Sequence, residues 1–227
     1  MSADGAVVAR DAATVILLRD GECGLEVYLQ QRAASMAFAP DVTVFPGGGV
    51  DARDRHRPAT WRGRPPSWWA DRFGCGKDLA SALVCAALRE TFEECGVRLS
   101  AEALRPWANW ITPTNRPRRY NTRFFVAALP DDQAASCLTT EVVGGCWLRP
   151  SAALGSADDG NLQLMVPTRA CLQELSRLPD VAAALEAGET RPISPIMPTI
   201  RIQDGRESID VPGVQIERAT GARHGRI

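Results

Sequence analysis

Histidine is scarce in this 227-residue chain, with only His56 and His224 present, and no two of its seven cysteines are spaced as CxxC. A structural zinc site is therefore poorly supplied. The odd set Cys23, Cys75, Cys85, Cys95, Cys137, Cys146 and Cys171 is scattered along a chain long enough to fold without staples. That pattern reads as reduced thiols and not as a disulfide framework. Net charge is also missing: 26 Lys and Arg against 27 Asp and Glu leave −1, so no broad basic field exists to hold nucleic acid by its phosphates. A small nucleotide ligand is not excluded by that balance. Long apolar runs are absent near the N-terminus, where residues 12–18 fall far short of the ~20 that span a bilayer. Neither a basic-then-apolar leader nor a C-terminal targeting tripeptide is legible, and the expectation is a cytoplasmic protein away from membranes.

What is present is an ordinary balance for a soluble chain, 45% hydrophobic and 23% charged, with a length that suggests one domain carrying an insertion or tail. Residues 13–18 and 25–31 read as a hairpin turned at Asp20-Gly21, and 42–45 as a short strand ended by Pro46. An irregular apolar segment lies between them at 36–40. Gly47-Gly48-Gly49 follows, where backbone geometry is unusually free. Residues 51–76 turn to Arg, Asp, Pro and Gly with Trp61, Trp68 and Trp69, which reads as an insertion loop with one short helix near 67–72. The spacing predicts a helix over 79–95, with Asp78 as N-cap candidate and Gly96 at the C′ position. Strands are expected at 107–111, 122–129 and 142–148, and helices at 150–154, 167–178 and 181–187. Together these favour an α+β domain, helices packed on a mixed sheet.

Within the 79–95 helix, Glu90 and Glu94 are neighbours on one face with Glu93 beside them, while Leu88, Phe92 and Cys95 fall on another. Three carboxylates in one patch repel, and the C-terminal half of a helix is the wrong end for negative charge. A hard divalent cation would reverse both penalties and leave room for phosphate oxygens. A solvated acidic face is the plain alternative.

The run Arg89-Glu90-x-x-Glu93-Glu94-x-Gly96-Val97, preceded by Phe45-Pro46-Gly47-Gly48, resembles the Nudix box. The resemblance implies a mixed sheet between helices, residues 1–190 as a Nudix hydrolase domain with an insertion at about 51–77, and 191–227 as an extended segment. It implies Mg²⁺ or Mn²⁺ as cofactor, with Glu90, Glu93 and Glu94 as metal ligands and the Gly48 carbonyl as a further one. The family box puts a glutamate before the arginine with seven residues between them, where this chain has Ser81, and the glycines stand some 27 residues too far upstream; Asp78 or Asp54 could substitute. An interrupted box of this kind is similar to the coenzyme A diphosphatase-like branch, as are Trp110-Ile111-Thr112-Pro113, residues 119–125 and Pro167-Thr168.

The implied reaction is hydrolysis of a nucleoside diphosphate linked to another group, CoA or acyl-CoA by branch similarity, with ADP-ribose or NADH as alternatives. A carboxylate takes the proton from the attacking water, and Glu90 and Glu141 are both base candidates. Arg89 is expected to orient the glutamates and the glycine loop. Arg32 could meet substrate phosphate or pair with a nearby carboxylate, and Gly47 and Gly48 let the backbone approach phosphate. Arg116, Arg118 and Arg119 form a basic run, either solvated or holding a phosphate, with Arg119 the candidate taken forward. The three tryptophans suit packing of the insertion or a homodimer contact better than stacking on adenine. A Nudix-like module that senses a nucleotide without cleaving it is the rival reading, to which Ser81 gives some room.

Overall fold

A computed structural model describes residues 7–33, 42–55, 61–139, 142–203 and 206–211. The expected apolar segment 36–40 and Glu141 lie outside these residues. The hairpin forms as strands β1 (Arg10–Gly21) and β2 (Gly24–Arg32), antiparallel from Leu18↔Val27 to Gly21↔Gly24. β3 (Thr43–Val44) pairs with β2. β4 (Gly47–Gly49) pairs antiparallel with Ala12, Ala13 and Thr14 of β1, so the glycines expected as a free turn are extended backbone on the sheet. A 3₁₀ turn (Ala52–Arg55) leads into the insertion, which contains α1 (Pro66–Phe73), followed by α2 (Lys77–Cys95).

The remaining elements are β5 (Arg105–Ile111), β6 (Tyr120–Ala128), β7 (Val142–Leu148), α3 (Pro150–Asp158), α4 (Val166–Leu175) and α5 (Val181–Thr190). Two-residue β8 (Pro195–Ile196) and the hairpin β9 (Thr199–Gln203) and β10 (Arg206–Asp210) complete the chain's described part. The main sheet runs β3-β2-β1-β6-β5-β8, with β7 also on β2. β1 and β6 are parallel and β5 and β6 antiparallel, so the sheet is mixed, as the α+β reading requires.

β1 shows why helices cover both faces. Ala13 and Val15 point into a core with α1, α2, Phe125 and Ala127, whereas Ile16 and Leu18 point into another with α4, Phe124 and Val126. A strand buried on both sides needs a continuous apolar run, and residues 13–18 supply it. The first half of α2 is buried and small (Ala80, Ala82, Ala86, Ala87), which lets the helix lie close on the sheet. Gly96 caps its C-terminus with φ 73 and an N–H to Phe92 O, as expected. The N-cap is Gly76, with no side-chain cap; Asp78 sits inside the first turn. Of the segment expected as an insertion loop, residues 66–73 are packed on the sheet: Trp69 is fully buried, with ring centroids 5.4 Å from Phe125 and 6.1 Å from Phe73. Among the described residues, no helix is long and apolar enough to cross a membrane.

Candidate active site

Arg89 ties three segments together. Its Nε and one terminal nitrogen donate to both Asp54 oxygens at 2.9 and 2.8 Å, and that nitrogen also donates to Gly49 O at 2.9 Å. The other terminal nitrogen reaches Glu90 at 2.7 Å and Glu93 at 3.1 Å. A planar fork with five donors can serve the 3₁₀ turn, the glycine strand and the helix at once, which lysine could not. Asp54 is itself fixed by the Asp51 N–H at 2.8 Å and is 4% exposed. Its hydrogen bonds, with burial opposing, hold the guanidinium above its ordinary value.

The three glutamates do not share one environment. Glu94, 8% exposed, accepts the Gly47 N–H at 3.0 Å. Glu90 lies against Gly48 so closely that a Cβ there would overlap its carboxylate, and this is where the missing side chain matters. Burial raises the Glu90 carboxyl above its ordinary value, with Arg89 pulling the other way and Glu93 and Asp51 adding to the rise. Glu93 instead pairs with Arg53 at 3.1 Å, and its side chain is 40% exposed. Among the described residues, no group of three His, Cys, Asp or Glu stands at metal-holding spacing without a cation, while one Arg89 nitrogen holds Glu90 and Glu93 side by side. Glu90 and Glu94, four residues apart, share the face under the glycines, and Glu93 sits between Arg53 and Arg89, 3.1 Å from each.

A cleft of about 420 Å³ opens over this face. One side carries Glu90, Glu94, Arg32, Gly47 and Gly48; the other is largely apolar, with Phe45, Trp110, Ile111, Phe124 and Met165. Arg32 is half-buried, and its Nε has no hydrogen-bond partner among the described residues. Arg119 is not in the cleft lining. Its guanidinium donates to Thr112 O and Pro113 O at 3.0 Å each and to Val7 O at 2.5 Å, so it braces backbone. Arg116 and Arg118 do not line the cleft either.

Asp54 is the residue that counting back from Arg89 misplaces. Ser81, where that count lands, is buried in α2 with its Oγ unpartnered, and Asp78 is exposed. Counting forward from Gly48 finds the acid: five residues separate Gly48 from Asp54, as in the family box, and the extra residues lie after it. Asp54 stands beside Asp78 among the substitutes that the sequence offers; what the sequence misses is Pro198, which brings the segment after 190 into the cleft wall.

The NUDIX domain pattern matches residues 8–166. A Caenorhabditis elegans protein named as nudix hydrolase 7 is 27% identical, over 82% of this chain and 67% of that protein. The Gallus gallus protein named as acyl-coenzyme A diphosphatase NUDT19 is 26% identical, over 74% of this chain and 68% of that protein. Among solved structures, a NUDIX hydrolase from Alicyclobacillus acidocaldarius superposes with a TM-score of 0.67 at 24% identity, covering 82% of this chain and 99% of that one.

Proposed function

Because the chain belongs to the Nudix family and is a Nudix hydrolase, we propose that it cleaves the diphosphate of CoA or acyl-CoA. The observation that carries the reading is the single cleft in which Glu90, Glu94, the glycine strand and Arg32 face an apolar wall. Two relatives named as acyl-CoA diphosphatases support the substrate, from Gallus gallus and Homo sapiens, the latter 27% identical over 59% of this chain.

Nudix hydrolases generally use divalent ions, and the donor set suits one: oxygen ligands only, and a buried carboxyl, Glu90, that a cation would favour in its charged form. Glu90 and Glu94 would hold Mg²⁺ or Mn²⁺ with the Gly48 backbone, and Glu93 is the outer member of the set. When bound, such an ion neutralises diphosphate charge and makes water more acidic.

The chain's own residues do the rest. Arg32, which lines the cleft and whose buried Nε has no hydrogen-bond partner among the described residues, takes a phosphate oxygen. The absence of side chains at Gly47 and Gly48 lets phosphate approach backbone. Arg89 keeps the glycine strand, the 3₁₀ turn and α2 in register, so that a misplacement of about 1 Å, which can cost about a hundredfold in rate, is avoided. Glu90, which lines the cleft against Gly48, is the candidate that takes a proton from the attacking water. The hydrolase domain comprises residues 1–190, with the segment after it packed on the domain through β8, which pairs with β5, and Pro198, which lines the cleft.

The test is a substrate panel of CoA, acetyl-CoA, ADP-ribose and NADH with Mg²⁺ or Mn²⁺, followed by nucleotide products. CoA or its thioester should give the highest kcat/KM. Equal or faster cleavage of ADP-ribose overturns the CoA assignment, and binding without turnover of any diphosphate identifies a sensor.

A further inference from the structure

A second cavity of about 140 Å³ adjoins the cleft, and Trp110 stands in the linings of both. Its walls include Trp107, Trp110, Cys171, Glu174, Arg191 and Ile196. Trp107 and Trp110 are 1% and 3% exposed, yet neither indole N–H has an acceptor with hydrogen-bond geometry among the described residues. Trp107 has only the Cys171 thiol beside it, a weak acceptor. The Nε of Arg191, buried with it, is also without a partner. Two N–H donors without an acceptor and a third with only a thiol thus stand around one small space, where buried donors are almost always satisfied.

The lining selects the kind of guest. Charge is already matched: Arg191 pairs with Glu174 at 2.9 Å and lies 4.0 Å over the Trp107 ring. An anion would meet the Glu174 carboxylate and compete with it for Arg191. The remaining lining is indole, thiol and aliphatic carbon, with Ser194 at its exposed edge. What such a space lacks is an acceptor on an otherwise apolar, uncharged body. At about 30 Å³ per water, the cavity has room for roughly five waters, or for an amide with a few methylenes.

We infer that this pocket seats the neutral, carbonyl-bearing arm of the substrate, beyond the diphosphate held at Glu90 and Glu94, with the orphaned N–H groups donating to amide carbonyls. The identity of the guest rests on the diphosphatase reading; the pocket's preference for a neutral acceptor does not. The probe is pantetheine, the amide-bearing arm of CoA without its diphosphate, titrated into metal-free full-length protein by calorimetry. Binding to the native chain should weaken about tenfold in Trp107→Phe, which removes an N–H and keeps a ring for Arg191. Cys171→Met, which fills the space, should abolish it, and thermal unfolding checks that each variant folds. A crystal with pantetheine should show its carbonyls at the indole nitrogens. Absent binding, equal binding to native chain and Cys171→Met, or a crystal with ordered water only in the pocket would overturn the inference. Pantetheine binding in a protein that hydrolyses no diphosphate would uphold the pocket and sink the catalytic reading alone.

Discussion

Asp54→Asn tests the Arg89 hub most directly. The pair is bidentate and buried, with side chains 3% and 13% exposed. Removing one partner of a buried ion pair costs about 3–5 kcal/mol, because the other charge is left without compensation. Arg89 retains Glu90 at 2.7 Å and Gly49 O at 2.9 Å, so part of that cost is avoided. We expect a loss of about 2–3 kcal/mol, which for a chain of this size is a fall in Tm of about 4–12 °C. Activity should fall about 10–100-fold, since the group that orients the glutamates loses its own anchor. Ser81→Ala is the matched control at the position where the usual count from Arg89 lands. Its Oγ has no partner, so the change should be within about 0.5 kcal/mol and leave kinetics unaltered. Thermal unfolding and steady-state rates on both variants, with a double-mutant cycle through Arg89→Ala, give the answer. A neutral Asp54→Asn beside an inactive Ser81→Ala would refute the reasoning.

Glu94→Gln should keep the fold, because its amide oxygen can still accept the Gly47 N–H, while kcat/KM drops by about a hundredfold or more; circular dichroism and rate assays check both halves. Arg32→Ala should raise KM about tenfold, the equivalent of about 1.4 kcal/mol, with Tm nearly unchanged, since no described partner is lost; a lowered Tm with unaltered KM would make it a structural residue. The Glu90 carboxyl, raised by burial above its ordinary 4.5, holds its proton more tightly in the folded than in the unfolded chain. Its contribution to stability is thus present below about pH 4.5 and is lost as pH rises through the raised value. In chelator, Glu90→Gln should gain Tm relative to the native chain as pH increases across that window, and parallel curves would contradict the shift.

The sequence's periodicity located the hairpin, α2 and strands β5 to β7, because each has a strong local cause: a doubly buried apolar run, an uninterrupted helical span closed by Gly96, or β-branched and aromatic clusters. It also placed Arg89, Glu90 and Glu94 on one helix, since helical spacing alone brings positions four apart together. Local pattern could not say that the glycines form a strand on β1, because pairing is a contact between residues about 35 apart. Nor could it say that Glu93 also meets Arg53, which depends on where the 3₁₀ turn delivers that arginine. The pairing of Asp54 with Arg89 across the insertion and the diversion of Arg119 to backbone carbonyls were settled by tertiary packing. So was the entry of Pro198 into the cleft. Spacing within one element is written in the chain, whereas which side chain an arginine meets is decided only when distant segments are brought within hydrogen-bond reach.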